Sequence, residues 1–133
     1  MQVAREEGER MINFFIPGEF ITLNDYINAE RANKFQAANI KKAETARVIL
    51  ECKSGDVPKV TRYPVKIGFH WYTSNRRSDP DNIAFAAKFI LDGMVKAKIL
   101  KDDGQEEIQS FNHNYSLDKN NPGVAVTIWQ GEV

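Results

Sequence analysis

Tyr63-Pro-Val-Lys-Ile-Gly-Phe-His-Trp-Tyr-Thr73, followed by Ser74-Asn-Arg-Arg-Ser-Asp79-Pro80, is the stretch on which the fold turns. Val65, Ile67, Phe69 and Trp71 alternate with Lys66, Gly68, His70 and Tyr72, the period-2 pattern of a half-buried strand. Ser74–Ser78 is a polar loop. Asp79-Pro80 then opens a helix, because Asp suits the N-cap and the fixed φ of Pro suits the first helical position. A strand feeding directly into a helix argues for a sheet with helices laid on it.

Working outward, Met11-Ile-Asn-Phe-Phe-Ile16 reads as a strand stopped by Pro17-Gly18. Asn24 is the expected cap of a helix running to about Lys53, with Ala32, Phe35, Ala43, Ala46 and Ile49/Leu50 as its apolar stripe. The helix after Asp79 is expected to reach about Lys98, burying Ile83, Ala86/Ala87, Ile90, Met94 and Ala97. Ile108–Tyr115 and Gly123–Trp129 are two further strands, joined at Asp118–Pro122 as a closing hairpin. The expected order is β-α-β-α-β-β. The fold class is α+β: a two-layer domain with a small mixed sheet and two long helices. Residues 1–10 read as a flexible leader and 11–133 as a single domain, as the length of 133 residues implies.

Composition excludes several classes. Hydrophobic residues are 42% and charged residues 27%, which excludes general disorder, and no apolar run reaches the ~20 residues of a membrane span. The lone Cys52 has no internal disulfide partner, so a reduced, cytoplasmic setting is expected, where the sequon Asn114-Tyr115-Ser116 has no meaning. The 18 basic and 18 acidic residues cancel but are unevenly placed. Residues 1–27 carry 2 basic and 5 acidic groups, net −3; 28–77 carry 11 and 4, net +7; 78–133 carry 5 and 9, net −4. A basic region beside an acidic one suits an anionic partner and a carboxylate cluster.

The chemistry-bearing residues are Arg76, Arg77, Asp79, Asp81, Asn82, Lys88, Asp102 and Asp103. At ~100° per residue, Asp81, Phe85, Lys88 and Asp92 fall on one helix face, away from Ile83, Ile90 and Met94. Taken singly, Asp79 is a cap, Asp81 a first-turn residue, Lys88 a solvated cation and Asp102-Asp103 a polar turn. Gathered at one sheet edge, they form an oxygen-rich site suited to Mg²⁺, which is commonly held by one or two carboxylates plus a substrate phosphate. Such an ion activates water and neutralises phosphoryl charge. Asp-x-Asp-Asn is not a calcium loop, because Ile83 and Ala84 stand where a ligand and the turn glycine belong. There is no glycine-rich phosphate loop, and His70 and His113 are too far apart for a local zinc motif.

Arg76-Arg77-Ser78-Asp79-Pro80-Asp81-Asn82, the Lys88…Asp92 pair and Ile99-Leu100-Lys101-Asp102-Asp103-Gly104-Gln105 resemble the RusA family of Holliday-junction resolvases, small endonucleases common in prophages. The resemblance covers about residues 60–130. It implies a homodimer that binds four-way or branched DNA and resolves it by symmetric paired nicks with Mg²⁺, Mn²⁺ being able to substitute. It places the metal-binding, catalytic carboxylates on Asp79, Asp81 and Asp103, the catalytic lysine on Lys88, and phosphate contacts on Arg76 and Arg77. Lys34, Lys41, Lys42 and Arg47 are further candidates for salt-dependent DNA contact. This sequence departs from the family in three places. Lys88 follows the second aspartate by seven residues rather than four, Ser78 replaces a basic residue, and Lys98 stands where a helix-ending Gly is common. Two other functions compete: a non-catalytic branched-DNA-binding dimer of phage origin, and a structural domain with no nucleic-acid role.

Overall fold

The computed structural model describes residues 10–131, so most of the expected leader, 1–9, lies outside the described residues. Arg10 itself is tied in, its carbonyl accepting from the Gln130 N–H at 2.7 Å. The elements are β1 (Met11–Pro17), α1 (Leu23–Ala32), α2 (Lys34–Ser54), β2 (Val65–Thr73), α3 (Pro80–Ala84), α4 (Ala87–Lys96), β3 (Ile108–Leu117) and β4 (Gly123–Trp129).

They form an α+β fold around a mixed four-stranded sheet of order β1-β4-β2-β3. β4 runs antiparallel to both neighbours, and β2 runs parallel to β3. The expected closing hairpin is therefore wrong: β2 lies between β3 and β4. Composition explains the placement. β4 buries Val124, Val126 and Ile128, so it gains most at the centre. β3 reads Ile-Gln-Ser-Phe-Asn-His-Asn-Tyr-Ser-Leu and buries only Ile108, so it takes the edge. A parallel β2–β3 pair needs a crossover, supplied by α3 and α4. The link 118–122 then passes over the end of β2, where the Asp118 N–H bonds to the Thr73 carbonyl. Asp118 Oδ1 pins this link by accepting from the Asn120 and Asn121 N–H groups.

Ladder register puts Ile12, Phe14 and Ile16 of β1 on the same face as Val124, Val126 and Ile128 of β4 and Ile67, Phe69 and Trp71 of β2. The helices bury this face with Val48 and Cys52 from α2, Phe89, Ile90 and Met94 from α4, and Leu100 beyond it.

Each expected long helix is broken. Thr22, not Asn24, is the first N-cap, its hydroxyl accepting from the Asp25 N–H. Asn33 then ends α1 in an extended conformation and caps α2, Oδ1 accepting from the Phe35 N–H at 2.8 Å. An amide side chain that bonds local backbone competes with helix continuation, which is why the break falls there. The break resets the helical phase. The buried α2 residues are Ala37, Thr45, Val48 and Cys52, whereas Phe35 and Leu50 are 71% and 65% exposed.

α4 ends at Lys96, with Ala97 as C-cap and Lys98 at φ 65°. The Ile99 N–H bonds to the Met94 carbonyl at 2.8 Å and the Lys98 N–H to the Val95 carbonyl at 3.0 Å. These are the two bonds of a Schellman C-cap, with a non-glycine residue in the left-handed position. That conformation costs an L-residue roughly 1–2 kcal/mol. Lys98→Gly should therefore stabilise the domain by about 0.5–1 kcal/mol, after the entropy glycine loses on folding. A chemical-denaturation midpoint that stays put or falls would contradict this.

Candidate functional site

The carboxyl ends of β2 and β3 form one end of the sheet, and the loop 74–79 leaves from it. This loop is shaped by its own side chains. Thr73 Oγ1 donates to the Asn75 carbonyl at 2.8 Å, and Asn75 Oδ1 accepts from the Arg77 N–H at 2.9 Å. Glu19, 55 positions earlier, accepts at Oε1 from both the N–H and the hydroxyl of Ser74, at 2.6 and 3.0 Å. Arg76 and Arg77 are thus presented, exposed, on a fixed backbone.

Asp79 is the N-cap of α3 in backbone conformation, with Pro80 following, as the sequence indicates. Its carboxylate, however, makes no cap hydrogen bond. The ordinary role of a capping aspartate is to accept from the N–H two or three residues on. Asp79 therefore keeps its acceptor oxygens free of that bond, and Asp81 stands one half-turn away. Both are exposed. Tyr115 ties the end of β3 to this point, its hydroxyl donating to the Pro80 carbonyl at 3.2 Å. The Tyr115 phenol is pushed above its ordinary pKa by burial and, second, by the Asp81 charge, so the two groups are electrostatic neighbours. Asn82 anchors α1, its Oδ1 accepting from the Asn24 N–H.

Lys88 lies at the start of α4, exposed. Asp81 and Lys88 are both exposed, whereas Phe85, expected on the same face, packs against the core; the helix tightens along this stretch. The Ala86, Lys88 and Phe89 N–H groups bond three residues back, to Ile83, Phe85 and Ala86. Each such residue turns ~120° rather than ~100°. Phe85 packs inward, against Tyr26 and Phe89 at ring-centroid distances of 5.4 Å each.

Asp103 lies elsewhere. The Ile99 carbonyl accepts from Val60, the Lys101 N–H donates to the Tyr63 hydroxyl, and the Glu107 carbonyl accepts from Val65. All three bonds tie the Asp102-Asp103 turn to the amino end of β2, whereas Asp79 and Asp81 follow its carboxyl end. β2, nine residues long, spans about 26 Å between these two ends at ~3.3 Å per residue. Among the described residues, no three or more His, Cys, Asp or Glu side chains stand close enough together to hold a metal ion. The trio named from sequence does not assemble within one chain.

The other expected contacts divide. Lys34, Lys41 and Lys42 are exposed along α2. Arg47 faces inward: its guanidinium lies 3.9 Å over the Phe20 ring and donates to the Gly18 and Glu19 carbonyls, with Glu44 alongside. It clamps the loop after β1 instead of reaching outward. Neither histidine is free. His70 Nε2 lies 2.7 Å from the Ser116 hydroxyl, and His113 Nδ1 accepts from the Trp71 indole N–H at 3.0 Å. Burial lowers the His113 pKa, consistent with a neutral ring.

A cleft of about 250 Å³ opens beside this loop, with Glu19, Thr22, Asp25, Asn75 and Ser78 on its walls and Trp71 among its apolar lining. Sequence reasoning missed Glu19, Asp25 and Tyr115 as members of the site. Their proximity to residues 74–81 comes from strand order, which no local pattern carries.

No protein-family model matches the chain, and no curated protein matches it. Among the described residues, no helix is long and apolar enough to cross a membrane.

Proposed function

We propose that the chain is a divalent-metal-dependent endodeoxyribonuclease that resolves four-way DNA junctions as a two-fold dimer. The observation that carries this reading is the uncapped Asp79 carboxylate beside Asp81, on the loop that also presents Arg76 and Arg77. Two carboxylates with a bound phosphate are a common Mg²⁺ setting. An ion held there supplies an activated water and neutralises phosphoryl charge. The chain's own residues do the rest. Arg76 and Arg77 hold the backbone phosphates, and Lys88 adds positive charge as the transition state forms.

Asp103, at the far end of the sheet, belongs in this reading to the site of a second copy. A two-fold axis sets the amino end of one strand against the carboxyl end of its mate. β3 is the unpaired edge of the sheet and bears the exposed apolar residues Phe111, Tyr115 and Leu117. Antiparallel pairing of two β3 edges covers them and carries each Asp103 toward the other chain's Asp79 and Asp81. Two sites related by symmetry suit paired nicks on a symmetric substrate.

The test is a synthetic four-way junction with Mg²⁺. Paired nicks are expected, lost when EDTA removes the metal while gel-shift binding persists. Binding with no nicking under any divalent ion would favour the non-catalytic dimer, and no binding at low salt would remove the nucleic-acid role. Lys88→Ala should slow nicking by about 10²-fold, the scale of losing one charge-stabilising group. Its junction affinity should stay within about twofold, because most phosphate contacts remain. Equal loss of rate and affinity would make Lys88 a binding residue instead.

A further inference from the structure

The cleft beside the 74–79 loop has no part in the reading so far, and its chemistry is specific. Its volume, about 250 Å³, lies just under the ~300 Å³ at which pockets for drug-sized ligands begin, so it suits a single ring system. Trp71, Phe20 and Ile83 supply flat or apolar wall. Phe20 is fixed by the Arg47 guanidinium on its ring and by a T-shaped contact with Trp71 at 6.4 Å. The polar wall includes two carboxylates, Glu19 and Asp25, and no lysine or arginine lines the cleft. Phosphate is thus repelled from the interior, while hydrogen-bond donors are favoured. Glu19 is held by Ser74, so its carboxylate is set in place before any ligand arrives. Arg76 and Arg77 lie in the chain between the wall residues Asn75 and Ser78, outside the lining.

We infer that this cleft receives one unstacked nucleobase carrying an exocyclic amino group, with its phosphates kept at the arginine rim. The identity of the DNA it comes from rests on the junction-nuclease reading; the base-binding chemistry of the cleft does not. An unpaired base at a branch point is the cheapest to extrude, since little pairing or stacking is lost. Its ring packs on the aromatic wall. Its amino group donates to Asp25 or Glu19, the pairing by which acidic side chains read cytosine N4. Adenine, cytosine and guanine carry such a group and thymine does not, so the cleft selects against thymine.

The experiment is an amide NMR titration of the full chain with deoxycytidine, deoxyadenosine and thymidine, run beside a junction gel shift. Shifts are expected at Thr22, Thr73 and Gly123, with deoxycytidine and deoxyadenosine binding about tenfold more tightly than thymidine. Asp25→Asn should keep the fold, since the Thr22 hydroxyl still accepts from its backbone N–H, and should erase most of the discrimination. Equal affinity for thymidine, no shift at the cleft with any nucleoside, or shifts caused only by Mg²⁺ would each overturn the inference. Nucleoside discrimination in a chain that fails to bind the junction would leave the base cleft standing and remove the junction reading.

Discussion

An equimolar mixture of Asp81→Asn and Asp103→Asn chains, unfolded together and refolded, is expected to nick a four-way junction that neither variant cuts alone. The reason is the distance along β2. Asp79 and Asp81 follow its carboxyl end, and the Asp102-Asp103 turn is tied to its amino end through Val60, Tyr63 and Val65. If each site draws Asp103 from the other chain, a mixed dimer places both substitutions in one site and leaves the second with its full set. Random pairing makes about half of the dimers mixed, each with one intact site, so single nicks should appear while paired nicks stay absent. A site built within one chain gives the opposite result, because each chain of the mixed dimer is then defective by itself. Each pure variant should lose nicking by several orders of magnitude, with junction affinity held or raised, because a carboxylate facing phosphate has become neutral. A second readout needs no turnover. Sedimentation of the wild-type chain should show Mn²⁺ tightening the dimer, since the ion relieves repulsion between carboxylates of different chains. Asp103→Asn should lose that dependence. Silence of the mixture beside an active wild type would overturn the shared site, and full nicking by Asp103→Asn alone would return Asp103 to an ordinary polar turn.

What the sequence made legible follows from which forces act locally. The β2 alternation and the Asp79-Pro80 start are written in consecutive residues and appear as expected. The non-glycine Lys98 was visible as an oddity, and it occupies the left-handed position that glycine usually fills. The helix breaks were less legible. Asn33 sits inside a plausible helical pattern, yet its backbone is extended and its side chain caps the next helix at the Phe35 N–H. Missing that break shifted the α2 stripe onto Phe35 and Leu50, which are exposed. Strand order was illegible from the turn at Asp118–Pro122, because the same five residues can join neighbouring strands or step over one. The polarity of β3 against β4 was the available signal, and it points to edge and centre. Arg47 could be recognised as basic but not as inward-facing, since its partners Gly18, Glu19 and Phe20 lie nearly thirty positions away. The three aspartates were visible by type. Their separation was not, because it depends on which ends of β2 their loops join.

Gly93→Ala is the second change with a large expected effect, and propensity alone predicts the wrong sign. In an exposed helix interior the substitution stabilises by about 1 kcal/mol. Gly93 is instead buried in α4 where it crosses α2. A methyl group there would stand 2.5 Å from both Cβ and Cγ1 of Val48 and 3.2 Å from the Thr45 carbonyl. Rotation about χ1 can move Val48 Cγ1 but not Cβ, so the two helices must separate by about an ångström. Val48, Ile90 and Met94 are all fully buried in the same cluster, so that separation opens the core rather than a surface seam. Overpacking of this kind costs typically 1–3 kcal/mol, and here the clash with a backbone-fixed atom puts it at the upper end. Net of propensity, a loss of about 2 kcal/mol is expected, or roughly 6–10 °C in Tm for a chain of this size. Val48→Ala alone also destabilises, by leaving a cavity. Val48→Ala still retains the Cβ, so the double variant relieves only the Cγ1 part of the clash. Its loss should be smaller than the sum of the two single losses by about 1 kcal/mol, the coupling expected of residues in direct contact. A Gly93→Ala chain as stable as the wild type would mean that α2 and α4 pack with more slack than a 2.5 Å approach allows.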